Sequence, residues 1–270
     1  MKNLGCIVAF FFAGSALVVN AQTPDALKSA TAQKSHQKGN PADTEVWGPL
    51  PEVVTPGKDF RDPPSDAIIL FDGKNLDQWV SSKDGSAAKW IVSDGVFTVN
   101  KVAGDIQTKR SFTNYQLHIE FLIPSNITGS GQGRGNSGVF LAATNGKAGG
   151  YEIQVLDGYN NENKTYVNGM VGSAYKESIP LVNPARKAGE WNVYDIVWKA
   201  PTFNIDSTVK TRAKVTVFFN GVLVQNDYEL LGETAYLGKH EYVYHGPEPI
   251  KLQDHGDPVS YRNIWVRELK

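Results

Sequence analysis

From Ala67 onward the chain is a succession of short runs rich in Val, Ile, Phe, Tyr and Trp, broken by turn residues every roughly 8–15 positions. No long stretch carries the apolar period of a helix. A chain punctuated in this way cannot supply the crossover helices of a parallel sheet, so the spacing predicts an all-β, two-sheet antiparallel sandwich of jelly-roll type. The predicted strands are 68–71, 90–92, 96–100, 116–123, 138–142, 151–156, 192–199, 214–219, 222–226, 250–252 and 261–269. Two hairpins are sharply marked, Ser93-Asp94-Gly95 and Phe219-Asn220-Gly221, because Asp-Gly and Asn-Gly accept the positive φ angles of tight primed turns.

The N-terminal part reads differently. Residues 1–21 have the form of a secretory signal peptide, with Lys2 as the basic end, an apolar stretch after it and Val19-Asn20-Ala21 as a small-residue cleavage site. The expectation is an exported protein, periplasmic or extracellular, with no transmembrane segment after residue 21. Residues 22–66 are rich in Pro, Lys, Ser, Ala and Gly and read as a linker or extended arm; 67–270 is the β-sandwich domain. Cys6, the single cysteine, lies in the leader, so stability must come from a packed core rather than from disulfides. Without Lys2, 27 bases become 26 against 28 acids. That near balance argues against a nucleic-acid partner, which needs a concentrated basic face.

Alternation along the strands separates two faces. In Lys214 to Phe219, Val215, Val217 and Phe219 share one side, which is ordinary core patterning. Two other strands carry polar residues on the face opposite their apolar one. Tyr151 to Asp157 turns Ile153 and Val155 inward and leaves Glu152 and Gln154 together, and Gln116 to Phe121 does the same with His118 and Glu120. Glu152, Gln154 and Asp157 stand where glycoside hydrolase family 16 carries a Glu-x-Asp-x-x-Glu strand. Gln154 cannot bear the charge of the central acid, however, and Asp157 is short for the last position. Retaining hydrolysis by two carboxyl groups about 5–5.5 Å apart is therefore not supported by this strand. A solvated strand face remains the plain alternative for Glu152 and Gln154.

Several motifs then fall in one order: Leu70-Phe71-Asp72-Gly73 with Trp79, Gly135-Asn136-Ser137-Gly138-Val139-Phe140-Leu141, Tyr151-Glu152-Ile153-Gln154-Val155-Leu156-Asp157, Gly189-Glu190-Trp191-Asn192, Phe219-Asn220-Gly221, and Leu252-Gln253-Asp254-His255-Gly256 followed by Arg262-Asn263-Ile264-Trp265. This ordered set resembles the 3-keto-disaccharide hydrolase domain family and spans about Ile68 to Leu269. The resemblance implies a concanavalin A-like lectin/glucanase fold and the cleavage of glycosides whose C3 hydroxyl has first been oxidised to a ketone. A C3 ketone acidifies the proton on C2, so a base can remove it and the C1 substituent can leave. Glu152 and His255 are the expected catalytic pair. Glu120, Asn136, Gln154, Asp157, Tyr175, Gln253 and Arg262 are expected to bind substrate, with Arg262 or Gln253 polarising the keto oxygen. Alternatives stay open: His255 as a turn cap, Arg262 paired with Asp195 or Asp254, and the whole domain as a non-catalytic carbohydrate-binding module. Tyr159, Tyr166 and Tyr175 are candidates for stacking on a sugar ring, whereas Trp191, Trp198 and Trp265 read as core. No cofactor is expected. His245, His255, Asp254 and Glu152 include metal-ligating types but lack a tight ligand spacing.

Overall fold

A computed structural model of the chain describes residues 39–146 and 149–270; the predicted signal peptide lies outside the described residues. Residues 39–52 belong to a small unit of their own, with one 3-10 turn at Pro41–Thr44 capped by Asn40. The rest forms fifteen strands in chain order: β1 (Ile68–Phe71), β2 (Trp79–Ser81), β3 (Ile91–Ser93), β4 (Val96–Thr98), β5 (Ile106–Phe112), β6 (Tyr115–Leu122), β7 (Ser137–Phe140), β8 (Glu152–Val155), β9 (Trp191–Lys199), β10 (Thr202–Phe203), β11 (Val209–Thr211), β12 (Lys214–Phe219), β13 (Val222–Glu229), β14 (Glu248–Leu252) and β15 (Ser260–Glu268). Among the described residues the only helical pieces are 3-10 turns.

The strands make two antiparallel sheets and a small two-stranded ribbon, β10 with β11. One sheet runs β13-β12-β9-β6-β15-β4-β3 with β1 added beside β15, and the other runs β2-β5-β14-β7-β8. The expected hairpins join β3 to β4 and β12 to β13, and Asp94, Gly95, Asn220 and Gly221 all take positive φ, as primed turns require.

One core fills the space between the sheets. Leu117, Ile119, Phe121, Tyr194, Ile196 and Val217 face it from the larger sheet, and Val139, Ile153, Val155, Ile250 and Leu252 from the smaller; none is more than 1% exposed. Tyrosine hydroxyls must find acceptors in such a core, and three reach from the larger sheet across to the smaller-sheet segments. Tyr194 Oη donates to the Gln154 carbonyl at 2.6 Å, Tyr115 Oη to the Leu141 carbonyl at 2.5 Å and Tyr261 Oη to Ser137 Oγ at 2.6 Å. These bonds tie β7, β8 and the segment between them to the opposite layer.

Of the four strands that the sequence pattern missed, β2, β5, β10 and β11, the first two have local reasons. β5 carries Lys109, Arg110 and Ser111 exposed in its middle, so its apolar signal survives only at Ile106 and Phe112. Opposite it, Pro249 interrupts the ladder of β14, and Ile250 N–H is satisfied instead by Thr108 Oγ1 at 3.0 Å. β2 is three residues long, too short to show a period.

Candidate active site

Glu152 and Gln154 project from β8 on the side away from the core, as alternation requires. Both are nevertheless buried, because irregular segments bearing Tyr166, Tyr175, Thr234 and Tyr236 cover that face of the smaller sheet. Thr234 fixes the start of β8: its Oγ1 accepts the Glu152 N–H at 2.8 Å and donates to the Gly150 carbonyl at 3.2 Å. The neighbouring strand supplies room. A Cβ at Gly138 would stand 2.3 Å from Glu152 Oε1, so the carboxyl lies across a position that only glycine leaves open.

The Glu152 carboxyl has no hydrogen bond or ion pair among the described residues. Loss of solvent therefore dominates its titration. Burial, opposed by the Lys251 ammonium and reinforced by Asp105, pushes it from 4.5 up to about 8. Lys251 is itself held over the Phe140 ring, 4.0 Å from its centroid, and 3.5 Å from Asp105.

Around this carboxyl is a cavity of about 340 Å³. One wall is a chain of amides. Gln154 Nε2 donates to Gln132 Oε1 at 2.9 Å, Asn136 Nδ2 donates to the Gln132 carbonyl at 2.7 Å, and Gln132 Nε2 is held by Thr165 and the Gly169 carbonyl. The chain leaves Gln154 Oε1 and Asn136 Oδ1 buried without a donor. Unsatisfied buried oxygens of this kind cost of order 1–3 kcal/mol each, and a polyhydroxylated ligand is a ready source of the missing protons. The facing wall carries Tyr166 and Tyr175, whose hydroxyls lie 2.6 Å apart. That contact uses one of their two protons and leaves the other available; burial raises both phenols, so they stay neutral donors. Gln253 and His255 complete the lining.

His255 is exposed and its ring makes no hydrogen bond among the described residues. The loop it occupies is capped by Asp254 instead, whose Oδ1 accepts the Gly256 N–H at 2.9 Å and whose Oδ2 accepts that of Gly104 at 3.2 Å. Asp254 is thus the turn residue and His255 is left free at the cavity.

The structure brings together six of the nine expected site residues: Glu152, His255, Asn136, Gln154, Tyr175 and Gln253. Three stand elsewhere. Asp157 lies past the end of β8, paired with Arg134 Nε at 2.6 Å in a separate cavity of about 850 Å³ that also holds Tyr159. Glu120 and Arg262 lie on the outer face of the other sheet, bonded to each other at 2.7 Å. Their strands show the same polar alternation as β8, but nothing in a period of two says which sheet a strand joins. Arg262 pairs with Glu120, not with Asp195 or Asp254. Among the described residues no three His, Cys, Asp or Glu side chains lie close enough to hold a metal, and His245 is turned to Tyr151 Oη at 3.0 Å. Trp198 and Trp265 are buried, while Trp191 is half-buried beneath the Arg262 guanidinium. Gln132, Phe140, Thr234 and Tyr236 line the cavity without having been expected. Gln132 stands among glycines and Thr234 and Tyr236 in a strandless run, where no period marks a side chain's direction.

The fold and this cavity define a class: a two-sheet antiparallel β-sandwich with a polar pocket on one outer sheet face. The chain belongs to the 3-keto-alpha-glucoside-1,2-lyase-like domain family, whose model matches residues 66–267. It is 27% identical over 241 residues to a 3-keto-disaccharide hydrolase of Bacteroides thetaiotaomicron, covering 75% of this chain and 78% of that protein. A Parabacteroides distasonis protein of known crystal structure, described as a candidate glycosyl hydrolase, is 54% identical, with a TM-score of 0.79 over 85% of this chain and 97% of its own. A second protein of that organism, 22% identical with a TM-score of 0.58 over 76% of this chain and 94% of its own, shares the fold. No helix among the described residues is long and apolar enough to cross a membrane.

Proposed function

We propose that this protein cleaves 3-keto-glycosides by elimination, with Glu152 removing the C2 proton and His255 protonating the departing C1 oxygen. The observation that carries this reading is the isolation of Glu152: a buried carboxyl with no protein partner, raised to about 8, against a cavity of polar groups. A carboxylate with so high a proton affinity is a far stronger base than an ordinary one, and a proton beside a ketone is acidic enough to be within its reach. In the step, the C2–H bond breaks toward Glu152, its electron pair forms the C1–C2 double bond, and the C1–O bond breaks with the oxygen taking a proton from His255. On this reading Gln253 and the free proton of the Tyr166–Tyr175 pair donate to the keto oxygen as charge grows there, which their common lining of the cavity supports. Gln154 Oε1 and Asn136 Oδ1 accept from sugar hydroxyls. Water adds to the unsaturated product then or later, giving net hydrolysis.

The family and the relatives' names support a sugar substrate, and the single carboxyl favours elimination over displacement by a carboxylate pair. The reading is tested by incubating the protein with a glucoside and with its 3-keto derivative and following aglycone release. Release from the 3-keto compound alone, lost in Glu152→Gln, is the expected result. Binding of both sugars without release identifies a non-catalytic carbohydrate-binding module.

Export to the periplasm or the exterior, directed by residues 1–21, belongs to the same proposal, with 22–66 as the connecting arm and 67–270 as the working domain. N-terminal sequencing of the secreted protein tests it, with Gln22 expected first.

A further inference from the structure

The outer face of the larger sheet carries a second constellation that the cleavage reading leaves unused. At its base His118 and Glu120, both buried, form a closed network. His118 Nδ1 meets Asp195 Oδ1 at 2.7 Å, Asn263 Nδ2 donates to Glu120 Oε1 at 3.0 Å, and Arg262 Nε donates to Glu120 Oε2 at 2.7 Å. A β-bulge makes this possible. Two residues of β15 stand opposite one of β6 between Arg262 and Trp265, and Asn263 takes a positive φ there. The same Asn263 amide and the Trp265 indole both donate to the Arg61 carbonyl at 3.0 Å. That clamp fixes the segment leading into the sandwich and sets Phe60, 83% exposed, at the rim.

The network aligns Arg262 and leaves it unfinished. Its guanidinium lies 4.0 Å from the centroid of the Trp191 ring and spends Nε on Glu120, while both terminal nitrogens are without a hydrogen bond among the described residues. Arg186 borders the same cavity of about 450 Å³, and its side chain too has no polar partner among the described residues. Three acids line this cavity with three arginines: Glu120 is spent on Arg262 and Asn263, Asp195 on His118, and Glu190 stands with Arg61 on the border, which leaves the outer edges of Arg262 and Arg186 without an acid bonded to them. A stacked, oriented guanidinium with its outer edge free is the geometry that receives a carboxylate through two parallel hydrogen bonds. The exposed Phe60 ring at the border offers an apolar surface to the C–H face of a pyranose ring.

We infer that this cavity is a second carbohydrate site, separate from the Glu152 cavity, which binds a saccharide bearing a carboxylate by way of Arg262, Arg186 and Phe60. It lies on the opposite sheet and stands or falls independently of the cleavage reading. The test is isothermal titration of the full chain with a glucuronic acid-containing disaccharide and with its neutral glucose counterpart. The acidic sugar is expected to bind about tenfold or more tightly than the neutral one, with affinity falling as salt is added. Glu152→Gln leaves that binding unchanged. Arg262→Lys, which keeps the charge and removes the fork, weakens it about tenfold, and so does Arg186→Ala, whose side chain takes no part in the packed network. No binding of the acidic sugar, equal affinity for the two sugars, or wild-type affinity in Arg186→Ala overturns the proposal.

Discussion

At Glu152 the fold works against its own stability. Ionising the carboxyl in its buried setting is unfavourable, so its folded value of about 8 lies above the ordinary 4.5. The folded state then binds the extra proton between those two values, and stability falls as pH rises through that window. Replacing the acid with its neutral isostere removes the effect. Glu152→Gln is therefore expected to melt higher than the parent at pH 8.5 and close to it at pH 4, which calorimetry at the two values checks; a lower melting temperature at pH 8.5 contradicts the assignment. Activity has the opposite dependence. With the carboxylate form as the base, kcat/KM for the 3-keto-glycoside rises with pH along a limb that follows the ionisation of Glu152, centred at about 8. Gly138→Ala tests the same group through its surroundings. The added methyl lands 2.3 Å from Glu152 Oε1 and 2.9 Å from its Cδ, so the carboxyl has to move out of its position. The expected result is at least a tenfold loss of kcat/KM, with stability lowered by only about 1 kcal/mol.

At the level of elements, β8 is the strand that places the reactive carboxyl, and its register depends on the opposite layer. Tyr194 of β9 donates to the Gln154 carbonyl in the core. Tyr194→Phe removes that bond but leaves the carbonyl the Gly172 N–H at 3.0 Å, and should cost about 1 kcal/mol in urea unfolding, with the m-value unchanged. The alternation that exposed Glu152 and Gln154 as odd polar residues was legible in the sequence, and so were both primed turns, since each depends only on neighbours along the chain. Which sheet a strand enters depends on distant pairing. Glu120 on β6 and Glu152 on β8 follow the same local rule and end on opposite outer faces. The bulge that turns Arg262 and Asn263 outward is likewise set by the mismatch between β15 and β6. β5 was hidden because its exposed Lys109 and Arg110 mask the apolar ends.

Across the whole molecule the two outer faces carry opposite electrostatic arrangements. On the smaller sheet Glu152 is left unpaired and held neutral. On the larger sheet burial would also raise Glu120, but His118, Asn263 and Arg262 outweigh it and hold that carboxyl at about 2. Because this value lies below the ordinary 4.5, Glu120 contributes stability that is fully present above pH 4.5 and is lost as pH falls toward 2. Glu120→Gln should flatten the acid limb of the melting-temperature curve, and an unaltered limb contradicts the pairing. The core, the three tyrosine ties and the primed turns hold both faces on one scaffold, so each can be altered alone. On the proposed chemistry the glycosidic bond breaks by loss of the C2 proton into the Glu152 cavity. The decisive measurement gives the protein a 3-keto-glucoside deuterated at C2 in ordinary water and weighs the sugar product of a single turnover. Loss of the deuterium to solvent, with no product in Glu152→Gln, is the predicted result. Product that keeps its C2 deuterium contradicts proton abstraction at C2.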